Sequence, residues 1–146
     1  MTDLILAILH HVLVFGLVAL LMAERVMVRS PTIDVRRLAR LDGGFGATAG
    51  LILIIGACRV VWGGKGWDFY AANPFFWAKV ATFLIIGLVS IAPTLRFLAW
   101  LRALKADPSF QPDEADRRKV RTALGVEALL LVPLLAFAAA MARWPF

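Results

Sequence analysis

Residues able to carry chemistry are scarce in this chain. One cysteine, Cys58, lies inside an apolar run, which excludes an intrachain disulfide and a CxxC metal site and leaves packing as its simplest role. The only two histidines, His10 and His11, are adjacent. Zinc asks for three or four ligands, so that set is too small. No serine or aspartate lies at their depth, so a Ser-His-Asp arrangement is excluded too. Charged residues make up only 18% of the chain, against 61% hydrophobic ones and a mean hydropathy of +0.79, a balance that suits lipid and not water. The basic leader of a signal peptide is also missing. Met1-Thr2-Asp3 precedes the first apolar run, and Arg25 and Arg29 follow it where a small-residue cleavage site would stand, so this run is expected to persist as a helix.

What is present is long apolar sequence. At 146 residues there is room for one domain. Four stretches satisfy the roughly 20 apolar residues that a bilayer demands of a helix, at 4–28, 45–62, 74–101 and 120–142. Pro31, Gly63-Gly64, Asn73-Pro74 and Pro112-Asp113 punctuate them. Short connections make consecutive helices antiparallel neighbours. The expected fold is all-α, an integral membrane four-helix bundle of up-down topology.

The net charge of +6 does not indicate nucleic acid, because the basic residues sit at the ends of apolar runs. Of the 16 Lys and Arg, all but Arg59, Lys65, Lys79 and Arg143 lie in or beside the first and third loops. By the positive-inside rule those loops are cytoplasmic, and both termini are on the periplasmic side. Val35, Leu38 and Leu41 recur at helical spacing between arginines, which predicts a short interfacial helix resting on anionic lipid. Trp62, Trp67, Trp77 and Trp144 mark the opposite interface. Gly46 and Gly50, with Gly43 and Gly56 nearby, suit close helix packing. Packing within the chain is the simpler expectation and a homodimer face the other.

Ionisable groups inside a membrane are functional candidates because their burial is costly. His10, His11, Glu24, Arg59, Lys79, Arg96 and Glu127 fall inside the predicted spans. His10 and Lys79 each lie roughly 7 to 9 Å below the outer ends of their helices, and Arg59 approaches the same level. Glu24, Arg96 and Glu127 lie toward the other end, as buried ion pairs or as an entrance for protons. Residues 14 apart differ by about 1400°, roughly 40° short of four turns. If Glu24 points into the bundle, so does His10, and His11 looks outward.

An inward imidazole and an inward amine at one depth meet the needs of haem iron, which takes one or two axial donors, an apolar cavity and cations for its propionates. His10 and Lys79 would be the axial ligands, with Arg59 or Lys65 at the propionates. The same residues also permit a cofactor-free reading, with His10 bonded to a neighbouring helix and Lys79 snorkelling outward along its own stem. A protein with two haems ligated by histidine pairs would need four histidines, with His11 serving a second ring, and this chain has two.

Ala7-Ile8-Leu9-His10-His11-Val12, Ala23-Glu24, Leu41-Asp42-Gly43, Lys65-Gly66-Trp67, Asn73-Pro74-Phe75-Phe76-Trp77-Ala78-Lys79 and Pro93-Thr94-Leu95-Arg96-Phe97 resemble a family of small bacterial four-helix membrane proteins of unknown function. More distantly, the chain is similar to the HemJ-type protoporphyrinogen IX oxidases, through Leu9-His10-His11-Val12 and Phe76-Trp77-Ala78-Lys79-Val80-Ala81-Thr82-Phe83. That resemblance implies one haem b per chain with His10 and Lys79 as axial metal ligands. It also implies oxidoreductase or electron-transfer chemistry with a quinone or a porphyrin, in the bacterial inner membrane. Two departures from the HemJ pattern are Leu13, where that family has glycine, and Glu24-Arg25, which replaces a basic motif.

Overall fold

A computed structural model describes residues 1–145. Five helices follow one another: α1 (Thr2–Met27), α2 (Val35–Trp62), α3 (Gly66–Ala72), α4 (Pro74–Ala106) and α5 (Glu114–Arg143). The four long ones are long and apolar enough to cross a membrane. Their outward faces carry exposed Ile8, Val12, Phe15, Leu84, Leu88, Leu129 and Val132, a surface that lipid covers and water would not tolerate.

The helix ends are set by local chemistry. Asp34 caps α2 by accepting from the Arg37 amide at 3.0 Å, and Asp113 caps α5 by accepting from the Asp116 amide at 2.7 Å. Asn73 caps α4, with Pro74 in the first turn, where a missing N–H costs nothing.

α2 begins ten residues earlier than the span expected at 45–62. Val35 and Leu38 are buried in the core while Arg36, Arg37 and Arg40 stay exposed. The segment expected to lie on the lipid surface is instead the first two turns of α2, because its apolar side finds protein to pack against. α4 and α5 likewise run past their expected limits of 101 and 120, and α3 is an added short helix.

α1 packs on α2 and α5, and α4 packs on the same two helices, so α1 and α4 stand diagonally across the bundle. At one end, here the terminal end, Phe69 meets Trp144 edge to face, and Asn73 donates to the Met141 carbonyl at 3.2 Å. At the other, basic end, Arg117 of α5 donates to the carbonyls of Val28, Ser30 and Pro31. There Gln111 also exchanges hydrogen bonds with Ile33. These clasps join α1 to α5 and close the ring. Leu17, Leu21, Ile52, Ile86, Phe97, Leu124 and Leu131 fill the core.

Gly43, Gly46 and Gly50 of α2 do not act as close-packing points within the chain, whereas Gly56 lies against His10. A Cβ at Gly43, Gly46 or Gly50 would meet nothing within 4 Å, which corrects the intrachain expectation. Their side of the helix faces away from its neighbours.

Candidate functional site

Two polar groups interrupt the apolar interior. The first lies toward the terminal end and gathers His10 from α1, Arg59 from α2 and Lys79 from α4. Facing follows from the helical period: Glu24 is 1% exposed, His10 is half-buried, and His11 is exposed with its Nδ1 2.7 Å from the Ala7 carbonyl of its own helix. His11 thus looks away from the bundle.

The His10 ring rests on the backbone of α2, where Gly56 makes room for it. A Cβ there would stand 3.5 Å from His10 Cε1 and 3.9 Å from Nδ1. His10 Nδ1 is enclosed and has no hydrogen-bond partner among the described residues, and the same holds for Arg59 Nε, one turn beyond Gly56. The charged neighbours of His10 are Lys79 and Arg59. Both are cations, so among the described residues the imidazole has no anion to pair with. Lys79 Nζ lies 5.8 Å from the Phe76 ring centroid, a cation–π contact along its own helix. Lys65 sits 4.2 Å over the Phe69 ring, on the short α3. Trp62, Trp67 and Trp77 are exposed around this end, where indoles favour a membrane interface. Among the described residues no group of three or more His, Cys, Asp or Glu could hold a metal ion.

The second group lies toward the basic end. Glu24 and Glu127 are each 1% exposed, and Asp42 is buried beside them. The three carboxyls are electrostatic neighbours. Thr94 of α4 donates to Asp42 Oδ1 at 2.8 Å, whereas Glu24 Oε1 and Glu127 Oε1 are enclosed without a partner. Arg96 does not join them. Its guanidinium turns outward to Asp116 at 3.1 Å, where Trp100 also donates to Asp116 at 3.4 Å. The expected pairing of Arg96 with the buried glutamates is therefore replaced by a surface pair, since Asp116 at the start of α5 is within reach and needs no buried charge.

Asp42 is the residue that sequence reasoning missed. It stands before Gly43-Gly44 and after an arginine-rich stretch, which together look like a loop. Its signal was the register of Val35, Leu38, Asp42 and Phe45, all buried on one face of α2.

Two cavities open near the basic end. One, of about 490 Å³, is lined by Met22, Val26, Met27, Arg37 and Leu41 on α1 and α2. The other, of about 170 Å³, lies between α4 and α5 against Pro93, Arg96, Lys119, Val120 and Ala123.

A family model described as "Predicted membrane protein (DUF2214)" matches residues 2–144. No curated protein and no solved structure matches the chain.

Proposed function

Because the chain belongs to the DUF2214 family of predicted membrane proteins, we propose its function from the polar groups inside its bundle: a membrane haem b protein with a redox role. The observation that carries this reading is an inward imidazole, His10, whose Nδ1 has no protein partner, on the helix diagonal to the one bearing Lys79. The donor set fits the group. His10 and Lys79 offer two neutral nitrogens once the amine has lost its proton, and Arg59, with an unpartnered Nε, offers a cation for a propionate. Haem held in this way would supply one-electron transfer, to or from a quinone or a porphyrin. The chain's own residues would hold the ligands in line, keep water out with the apolar faces of α1 and α4, and neutralise carboxylates at the terminal end. Similarity to the HemJ-type oxidases around His10 and Lys79 supports the same pair.

In this reading the basic end faces the cytoplasm and the termini face the periplasm of a bacterial inner membrane, as the distribution of Lys and Arg favours. The open glycine side of α2 would suit a homodimer, checked by crosslinking in liposomes.

The test is an absorption spectrum of the protein purified in mild detergent from cells supplied with a haem precursor. A Soret band that weakens in both His10→Ala and Lys79→Ala is the expected result. A colourless preparation that also fails to bind added haem would overturn the reading. The alternative is a cofactor-free membrane protein whose buried charges fix helix register. One observation favours it: the imidazole already packs against the α2 backbone at Gly56. In that case both variants lower the melting temperature of a protein that never had colour.

A further inference from the structure

Glu24, Asp42 and Glu127 come from three different helices and are electrostatic neighbours, with no cation among them in the described residues. The elements around them supply no counter-charge: α4 offers the hydroxyl of Thr94 to Asp42, and its nearby Arg96 is turned to Asp116 at the surface. Two of the carboxyls, each 1% exposed, keep an oxygen that bonds to nothing among the described residues. Such an oxygen needs a ligand. An uncompensated buried carboxylate costs several kcal/mol, and the usual escape is to take up a proton. A metal ion is the less suitable occupant, because no three of these groups are arranged to hold one among the described residues.

A cavity lies one helical turn from this cluster. The cavity of about 170 Å³ between α4 and α5 has exposed Arg96 and Lys119 at its rim and the core residues Pro93 and Val120 within it. Ala123 in its lining is one turn from Glu127 on the same face of α5, and Pro93 adjoins Thr94, the partner of Asp42. A space of this size admits several waters.

We infer that Glu24, Asp42 and Glu127 form a proton-binding site inside the membrane, loaded from the basic end through the α4–α5 cavity. A hydronium ion in that cavity gives its proton to a carboxylate oxygen, water leaves, and the carboxylate becomes a neutral acid able to donate to the next carboxyl. The cluster thereby holds and exchanges protons without a counter-ion. This inference rests on the chain spanning a membrane and does not require haem.

Infrared spectroscopy of the full chain in detergent tests it. At pH 7 the carbonyl stretch of an un-ionised carboxylic acid is expected, shifted to lower frequency in D2O. It should fall in Glu24→Gln and in Glu127→Gln, and vanish when Asp42→Asn is added to both. Ala123→Leu, which fills the cavity, should slow the D2O shift. The proposal is overturned by a wild-type protein without this band, by a band unchanged in every variant, or by a band that appears only once sodium is removed. The last result would make the ligand a cation. An unchanged exchange rate in Ala123→Leu overturns the route. A colourless preparation should give the same band, so failure of the haem reading is distinguishable from failure of this one.

Discussion

Gly56 offers the sharpest check on how His10 sits. A methyl group at this position would lie 3.5 Å from His10 Cε1, an ordinary contact distance. Gly56→Ala should therefore be accepted, and replacing a mid-helix glycine adds roughly 0.5–1 kcal/mol of stability. Gly56→Leu differs from the alanine variant only in three further carbons, which have to enter the space the imidazole fills. Overpacking of this kind costs about 1–3 kcal/mol. For a chain of this length that is roughly 2–12 °C in melting temperature, followed by circular dichroism in mild detergent, with the leucine variant below the alanine one. The comparison between the two variants removes the backbone contribution of the glycine. In a His10→Ala background the same step should cost clearly less, because the ring no longer competes for the space, and the difference is a coupling energy between two touching residues. A leucine variant as stable as the alanine one, or a penalty unchanged without the imidazole, would show that His10 does not lie against α2. In a haem-loaded protein, Gly56→Leu should also weaken the Soret band while leaving both nitrogen donors in the sequence.

Three further substitutions follow from the packing. Asn73→Ala removes a buried cap that accepts from Phe75 at 3.0 Å and donates to Met141 at 3.2 Å, and a loss of about 1–3 kcal/mol is expected in thermal melts. Arg117→Ala frees the carbonyls of Val28, Ser30 and Pro31 at the basic end. Trypsin should then cut faster after Arg29, and Arg117→Lys should restore little, because a lysine cannot reproduce the guanidinium fork. Glu127→Leu replaces an enclosed carboxyl whose Oε1 has no partner among the described residues with an apolar group of similar volume and should raise stability, because the cost of burying an unsatisfied polar oxygen, about 1–3 kcal/mol, is removed. A lower melting temperature there would mean that Glu127 has a bonding partner.

The four spans were readable because lipid imposes length and hydropathy on them directly. The facing of His10 was readable because helical phase relates it to Glu24 across 14 residues, and the structure has that phase. What was hidden depends on tertiary contact. Two adjacent glycines and an arginine-rich stretch argue locally against continuing α2 back to Val35, yet burial of Val35 and Leu38 outweighs a propensity cost of about 1 kcal/mol per glycine. That extension carries Asp42 into the core. The outward turn of Arg96 was hidden for a related reason. Its partner, Asp116, belongs to the first turn of α5, whose start could not be placed without knowing that Asp113 caps it.

The two polar groups are separated by an apolar layer, and its position constrains any coupling between them. Leu17 lies seven residues from both His10 and Glu24 on the same face of α1, with Ile52 and Ile86 buried at intermediate positions on α2 and α4. The 14 residues between His10 and Glu24 span about 21 Å at 1.5 Å per residue. No chain of polar side chains crosses this layer among the described residues, so a proton taken up by the carboxyl cluster has no side-chain path to the terminal end in this conformation. Only the electric field reaches across. At an effective dielectric near 20, one unit charge acts on another over that distance with about 0.8 kcal/mol, roughly a fourfold change in an equilibrium constant. If the terminal end holds a redox group as proposed, protonation at the basic end can therefore bias its equilibrium but cannot gate it. Stronger coupling would require the layer at Leu17 and Ile86 to admit water. Replacing Ile86 with serine should then strengthen the pH dependence of any redox change at His10 and Lys79, whereas an unchanged dependence would show that the field alone connects the two ends.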